Sequence, residues 1–201
     1  MQRSEIVKRN NTVNWSSKVR DILNHSGFGD VWLFPESINI DKFIPLLKIR
    51  LRDQYVAEWR TNIDSSTSLY MYKELKPTFE RSSYLDLIEN KKHRRIIAKM
   101  RLSSHKLLIE TGRHHNIDRN ERICPLCNCN DIEDEYHFIL ICPQYLEERI
   151  KYIPEFYYKR PSMFKFIKLL NSSKKTTLRK LAIYCISCFK KRDNTLFIIN
   201  I

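Results

Sequence analysis

CPLCNCNDIEDEYHFILICP, Cys124 to Pro143, packs four of the protein's six cysteines and one histidine into nineteen residues, beside a dense run of carboxylates. Cys124-x2-Cys127-x9-His137-x4-Cys142 has the ingredients of a tetrahedral zinc site: a thiolate pair on a tight knuckle, then a distant second pair. Two cysteines separated by two residues can bend round one ion, and Pro125 pre-sets part of that turn. The second pair is harder to place. DIEDEYHFILIC has a helical pattern, and five residues of ideal helix rotate by about 500°, leaving His137 and Cys142 about 140° apart. Pro143 disfavours the α conformation at Cys142, so the chain is expected to leave the helix there and turn the sulfur back.

Four ligands close a zinc shell, whereas catalytic zinc keeps a position open for water. Three thiolates and one imidazole also leave a net negative charge, a poor setting for polarising a substrate. The expected role of the single zinc is therefore structural. Cys129 lies two residues past the knuckle and could replace Cys127; His114 and His115 lie near enough in sequence to compete with His137. The last pair, Cys185-x2-Cys188, shares a stripe with Leu178, Leu181, Ala182 and Phe189 and is expected in the core.

Outward from the cluster, the charge is segregated. The net charge is +13. Residues 91–123 carry ten Lys/Arg against three acids, and residues 150–201 carry twelve against two. Residues 124–149 carry one basic residue and six acids, while residues 1–90 are nearly balanced. The basic excess flanks the cysteine cluster and avoids it. Any contact with nucleic acid would draw its affinity from phosphates, so the expected contacts are Lys91, Lys92, Arg94, Arg95, Lys99 and Arg101, continued by Arg113, Arg119 and Arg122. In the C-terminal part they are Lys174, Lys175, Arg179 and Lys180. The acids before His137 would repel a phosphate backbone and instead complement the start of a helix. Tyr157 and Tyr158 could stack on bases or belong to the core.

The remaining sequence predicts an all-α protein with few glycines and prolines. NWSSKVRDILNHSG is an amphipathic helix stopped at Gly27. DKFIPLLKIRLRDQYVAEWRTNI follows, with Pro45 near its start and Phe43, Leu47, Leu51, Tyr55 and Trp59 on one face. SSTSLYMYKELKP ends at Pro77, and SSYLDLIENKKHRRIIAKMRLSSHKLLIETG reads as two helices, or one bent one, closed by Gly112. Helices also follow over QYLEERIKYI, PSMFKFIKLL and TTLRKLAIYCISCFKKR, the last capped at Thr176 or Thr177. The expected organisation is a helical connector over residues 1–85 and a zinc-clipped helical domain over residues 86–201. No apolar run reaches a membrane span, and the polar opening segment lacks a signal-peptide core. Clustered cysteines without a disulfide framework point to an intracellular protein.

RLSSHKLLIETGRHHNIDRNERICPLCNCNDIEDEYHFILICPQY, residues 101–145, resembles the zinc-binding segment at the C-terminal end of reverse transcriptases from LINE-type (non-long-terminal-repeat) retrotransposons. The likeness rests on the knuckle, the acidic stretch before His137, apolar Phe138 to Ile141 and the Cys142-Pro143 end. It implies Cys124, Cys127, His137 and Cys142 as zinc ligands, RNA or DNA as partner, and a reverse-transcriptase core as a docking partner. It implies no catalysis here, because the adjacent aspartate pair of such a polymerase is absent from the sequence. The resemblance thus predicts an accessory domain that is not an enzyme and takes no small-molecule substrate. The competing expectation is a helical protein-interaction module in which the charge serves only solubility.

Overall fold

The computed structural model describes residues 14–199; the polar opening segment, residues 1–13, lies outside the described residues. The fold is all-α. Among the described residues the only β pairing is an isolated bridge between Ile123 and Ile132, and no helix is long and apolar enough to cross a membrane. The chain divides into two compact units, residues 1–62 and 63–201.

The first unit holds α1 (Trp15–His25), α2 (Gly29–Leu33) and most of α3 (Ile40–Ser65). Asn14 caps α1, its side chain accepting from the Ser17 amide at 2.9 Å. Gly27, at φ +80°, makes the left-handed turn that frees the chain to reverse. Arg50 donates to the Ser26 carbonyl and Gln54 to that of His25, tying α3 to the end of α1. Pro45 stands inside α3 rather than at its opening turn. Of the predicted stripe on α3, Phe43, Leu47 and Trp59 are half-buried, while Leu51 and Tyr55 are exposed.

The second unit contains α4 (Tyr70–Leu75), α5 (Tyr84–Leu87), α6 (Lys91–Arg101), α7 (Leu108–His114), α8 (Leu146–Tyr152), α9 (Glu155–Tyr158), α10 (Met163–Leu170) and α11 (Lys175–Ile199). The long α11 is the spine, packed by α5, α6, α8 and α10. The boundary comes earlier than residue 85 because α4 belongs to this core. Met71 and Leu75 are buried with Ile97, Met100 and Phe166, and the Leu75 carbonyl accepts from Arg101 and Asn171.

Three helix boundaries bear on the sequence expectations. Helix α6 stops at Arg101, where Ser103 takes the left-handed position (φ 49°) and the Ser104 amide returns to the Lys99 carbonyl at 2.9 Å. Gly112 is not a cap; it lies inside α7, where a Cβ would meet the Arg122 side chain at 2.9 Å. Helix α11 begins at Lys175, ahead of both threonines expected to cap it.

Candidate metal centre and its basic flanks

The ligand atoms of Cys124, Cys127, His137 and Cys142 all lie within 4.8 Å of one another. Cys124 Sγ is 4.0 Å from Cys142 Sγ, and Cys127 Sγ is 3.3 Å from His137 Nε2. Four soft or borderline donors converge on one point and could hold a metal ion. Cys129 is exposed and outside this group, as are His114 and His115.

The first pair is set by a closed loop. The Cys124 amide donates to the Asp131 carbonyl, the Glu133 amide to that of Arg122, and Asn130 supplies the left-handed residue (φ 56°) between them. Within the loop, the amides of Leu126 and Cys129 point at the sulfurs of Cys124 and Cys127.

The second pair is set by a change of helix type. Residues His137–Ile141 form a π-helical turn, with the Cys142 amide donating to the His137 carbonyl at 2.7 Å. An i to i+5 hydrogen bond puts those residues one turn apart on one side, so the divergence expected of an α-helix does not arise. Cys142 then leaves with φ −50° and ψ 121°, the extended turn anticipated from Pro143. The carbonyls are satisfied from outside the turn. Tyr184 donates to Phe138, and buried Arg149 donates to Ile139 and Cys142, all at 2.7–2.8 Å.

The sulfurs are not equivalent. Hydrogen bonds from Cys142, His137 and the Leu126 amide outweigh burial and hold the Cys124 thiol down at about 3. Burial pushes Cys127 up to about 11, and the hydrogen bond to Cys124 together with burial pushes Cys142 up. Burial disfavours charge on His137, but the hydrogen bond to Cys124 and the nearby charges of Cys124, Asp131 and Asp134 raise its pKa overall. Its outward Nδ1 makes no hydrogen bond; Asp131 Oδ2 stands 3.4 Å away.

The acidic residues before His137 mostly turn inward. Asp134 caps the His137 amide at 2.8 Å. Glu133, 1% exposed, takes two hydrogen bonds from Arg192 and one from the Leu108 amide. Glu135, 2% exposed, accepts from Ser103 and from His105 Nε2 at 2.5 and 2.8 Å. Two of the acids are thus internal clasps, a role the helix-dipole argument did not find.

No family model, curated protein or solved structure matches this chain.

The basic flanks divide into exposed surface and core. Lys91, Lys92 and Arg95 are exposed on α6, as are Lys174, Lys175, Arg179 and Lys180 at the start of α11. Lys175 and Arg179 line a cleft of about 240 Å³ with Glu89, Asn90 and His93 around the start of α6. Lys175 Nζ also pairs with Glu89 at 2.5 Å. Arg94 and Lys99 are half-buried, and Arg94 donates to the Glu89 carbonyl.

Arg101 is a correction. It is 3% exposed, donates to Leu75, Leu170 and Asn171, and lies over the Tyr84 ring, so it cannot face a phosphate. Arg122 likewise spends its donors on the carbonyls of Ile109 and Ile117. Arg113 pairs with Glu110, and exposed Arg119 sits over Tyr70. Cys185 and Cys188 are fully buried core sulfurs, and Tyr157 and Tyr158 pack half-buried against the core.

Proposed function

We propose that this protein is a nucleic-acid-binding accessory domain folded round one structural zinc ion, without polymerase activity of its own, like the tail of a LINE-type reverse transcriptase. Zinc suits three thiolates and an imidazole better than the hard cations, which favour oxygen ligands. Bound at Cys124, Cys127, His137 and Cys142, it would supply a fixed cross-link between the knuckle loop and the π-helical turn. The chain's own residues do the rest. Asp131 lies beside the outward Nδ1 of His137, where it can orient the ring, and Arg149 and Tyr184 hold the turn open.

The observation that carries nucleic-acid binding is the shared cleft of α6 and α11. Lys175 and Arg179 line it from the C-terminal basic segment, while Glu89 in the lining pairs with Lys175. Helix α6, which packs on α11, contributes His93 to it and carries Lys91, Lys92 and Arg95 exposed beside it. Exposed lysines and arginines in such a patch release counterions when they take up phosphates, so the affinity must fall with salt. Fluorescence anisotropy of the full, zinc-loaded chain with labelled RNA and DNA, at low and physiological salt, tests this. Binding that weakens by orders of magnitude is expected; no binding at low salt overturns the proposal.

A second reading rests on the first unit. Trp15, Leu33, Phe34, Ile40, Leu46 and Ile49 are more than half exposed, the kind of apolar surface that can mark an interaction site. A protein partner such as a polymerase core would cover it, and that association would be nearly indifferent to salt.

A further inference from the structure

The aromatic side chains best placed to meet a nucleic acid are not the tyrosines that the sequence draws attention to. Tyr157 and Tyr158 lean on the core, whereas Phe156 on α9 and Phe164 on α10 are 52% and 69% exposed. Both have lysines over their rings. Lys165 Nζ lies 4.8 Å from the centre of the Phe156 ring, and Lys168 Nζ lies 5.3 Å from Phe156 and 5.8 Å from Phe164. Tyr157 meets Phe156 edge-on at 5.2 Å and so fixes the ring from the core side.

Beside this cluster opens a cleft of about 530 Å³, larger than the one between α6 and α11. Phe156, Tyr157, Lys168 and Lys174 line it, with the hydroxyls of Ser172 and Thr177. Glu155, the acid nearest in sequence, is already paired with Lys159 at 3.1 Å. Lys165 and Lys168 have no carboxylate partner among the described residues. Like charges one helical turn apart repel, and the aromatic faces only partly offset that. An anion entering the cleft would relieve it, and a flat apolar partner would cover the ring.

We propose that this cleft binds a single-stranded polynucleotide segment, with a base stacked on Phe156 and phosphates held by Lys168 and Lys174. The proposal rests on the nucleic-acid reading above and adds a strand preference and a second site to it. Unpaired bases present a free π-face, which a duplex keeps inside its stack. Phosphate alone would need no exposed ring, and an apolar peptide would gain nothing from the lysines.

The test uses the full zinc-loaded chain with twelve-nucleotide oligouridylate, oligothymidylate and a twelve-base-pair duplex. Phe156→Ala should weaken both single strands about tenfold and leave the duplex unchanged, while Phe156→Trp should retain single-strand binding. The ring is half exposed, so both variants should keep the native circular-dichroism spectrum. Lys168→Ala should reduce the salt slope on single strands by about 0.7. Crosslinking of bromouridine-substituted strands should map to residues 155–168. Unchanged single-strand affinity in Phe156→Ala, or an equal loss on single strands and duplex, overturns the cleft. If the native chain still binds, the wider reading survives that result; if it binds no nucleic acid at all, both fall. A tenfold loss on oligouridylate alone would identify RNA as the strand.

Discussion

Arg192 on α11 grips Glu133 in the metal loop with two hydrogen bonds, Nε to Oε1 at 2.7 Å and Nη2 to Oε2 at 2.8 Å, both side chains buried. Glu133 reaches further, accepting from the Leu108 amide at the start of α7. One carboxylate therefore joins the spine, the metal loop and α7. Removing either partner strands a buried charge. Glu133→Ala or Arg192→Ala should cost about 3–5 kcal/mol of unfolding free energy, read from urea denaturation. Replacing both with apolar residues of similar volume should cost much less.

Metal retention should separate the sulfurs. Cys142→Ser should abolish stoichiometric zinc and lower the melting temperature of the second unit, whereas Cys129→Ser should alter neither. Asp131→Ala should weaken zinc about tenfold in competition with a colorimetric chelator, by freeing the His137 ring. Affinity should also fall as pH falls, because Cys127, pushed up to about 11, and Cys142, also raised, must give up protons to bind.

Acid should act through Glu135. Burial opposes its ionisation, but the hydrogen bond and charge of His105 and the hydrogen bond from Ser103 prevail and hold its pKa down. A depressed carboxylate contributes stability that is complete above its unfolded value, about 4.3, and is lost as pH falls through the folded value. Glu135→Gln should therefore be less stable at neutral pH and lose less on acidification to pH 3, followed by circular dichroism.

The basic residues should sort by exposure. Replacing Lys91, Arg95 and Arg179 with alanine should preserve the fold and reduce the salt slope on duplex DNA by up to about 2.7. Arg101→Ala should instead lower thermal stability, since it leaves the carbonyls of Leu75 and Leu170 without that donor.

Gly112→Ala gives a sign test. In an open helix this change stabilises by about 1 kcal/mol. Here the new Cβ would sit 2.9 Å from Arg122 Cγ and 3.0 Å from Cδ, and that side chain is anchored by the carbonyls of Ile109 and Ile117. The expected result is a loss of about 1–3 kcal/mol on chemical denaturation.

The sequence carried the candidate ligand cluster clearly because the Cys-x2-Cys spacing and the Cys-Pro end are local signals. Helix α1, with its stop at Gly27, was legible for the same reason. Other features depend on distant residues. A π-helical turn has no compositional mark; here it is sustained by Arg149 and by Tyr184, which lies 46 residues beyond Phe138 in sequence. Glu133 and Glu135 look like surface acids until Arg192 and His105 are brought to them. Arg101, in a run of basic residues, was indistinguishable from its exposed neighbours, because only the fold places Leu170 and Asn171 against it. Gly112 resembles a helix stop, yet its small size serves Arg122, ten residues downstream.

The π-helical turn makes the centre a matter of chain length as much as of side-chain chemistry. Phe138, Ile139, Leu140 and Ile141 form both the apolar filling and the spacer between two ligands. Swapping one of them for another apolar residue of similar size changes packing and leaves the ligand spacing alone. Deleting one would turn the five-residue step into a four-residue step and shift everything from Cys142 onward by one position. Arg149 would then lose its register with the carbonyls it now serves. Tolerance at this locus is therefore asymmetric: it accepts substitutions of shape but not changes in count.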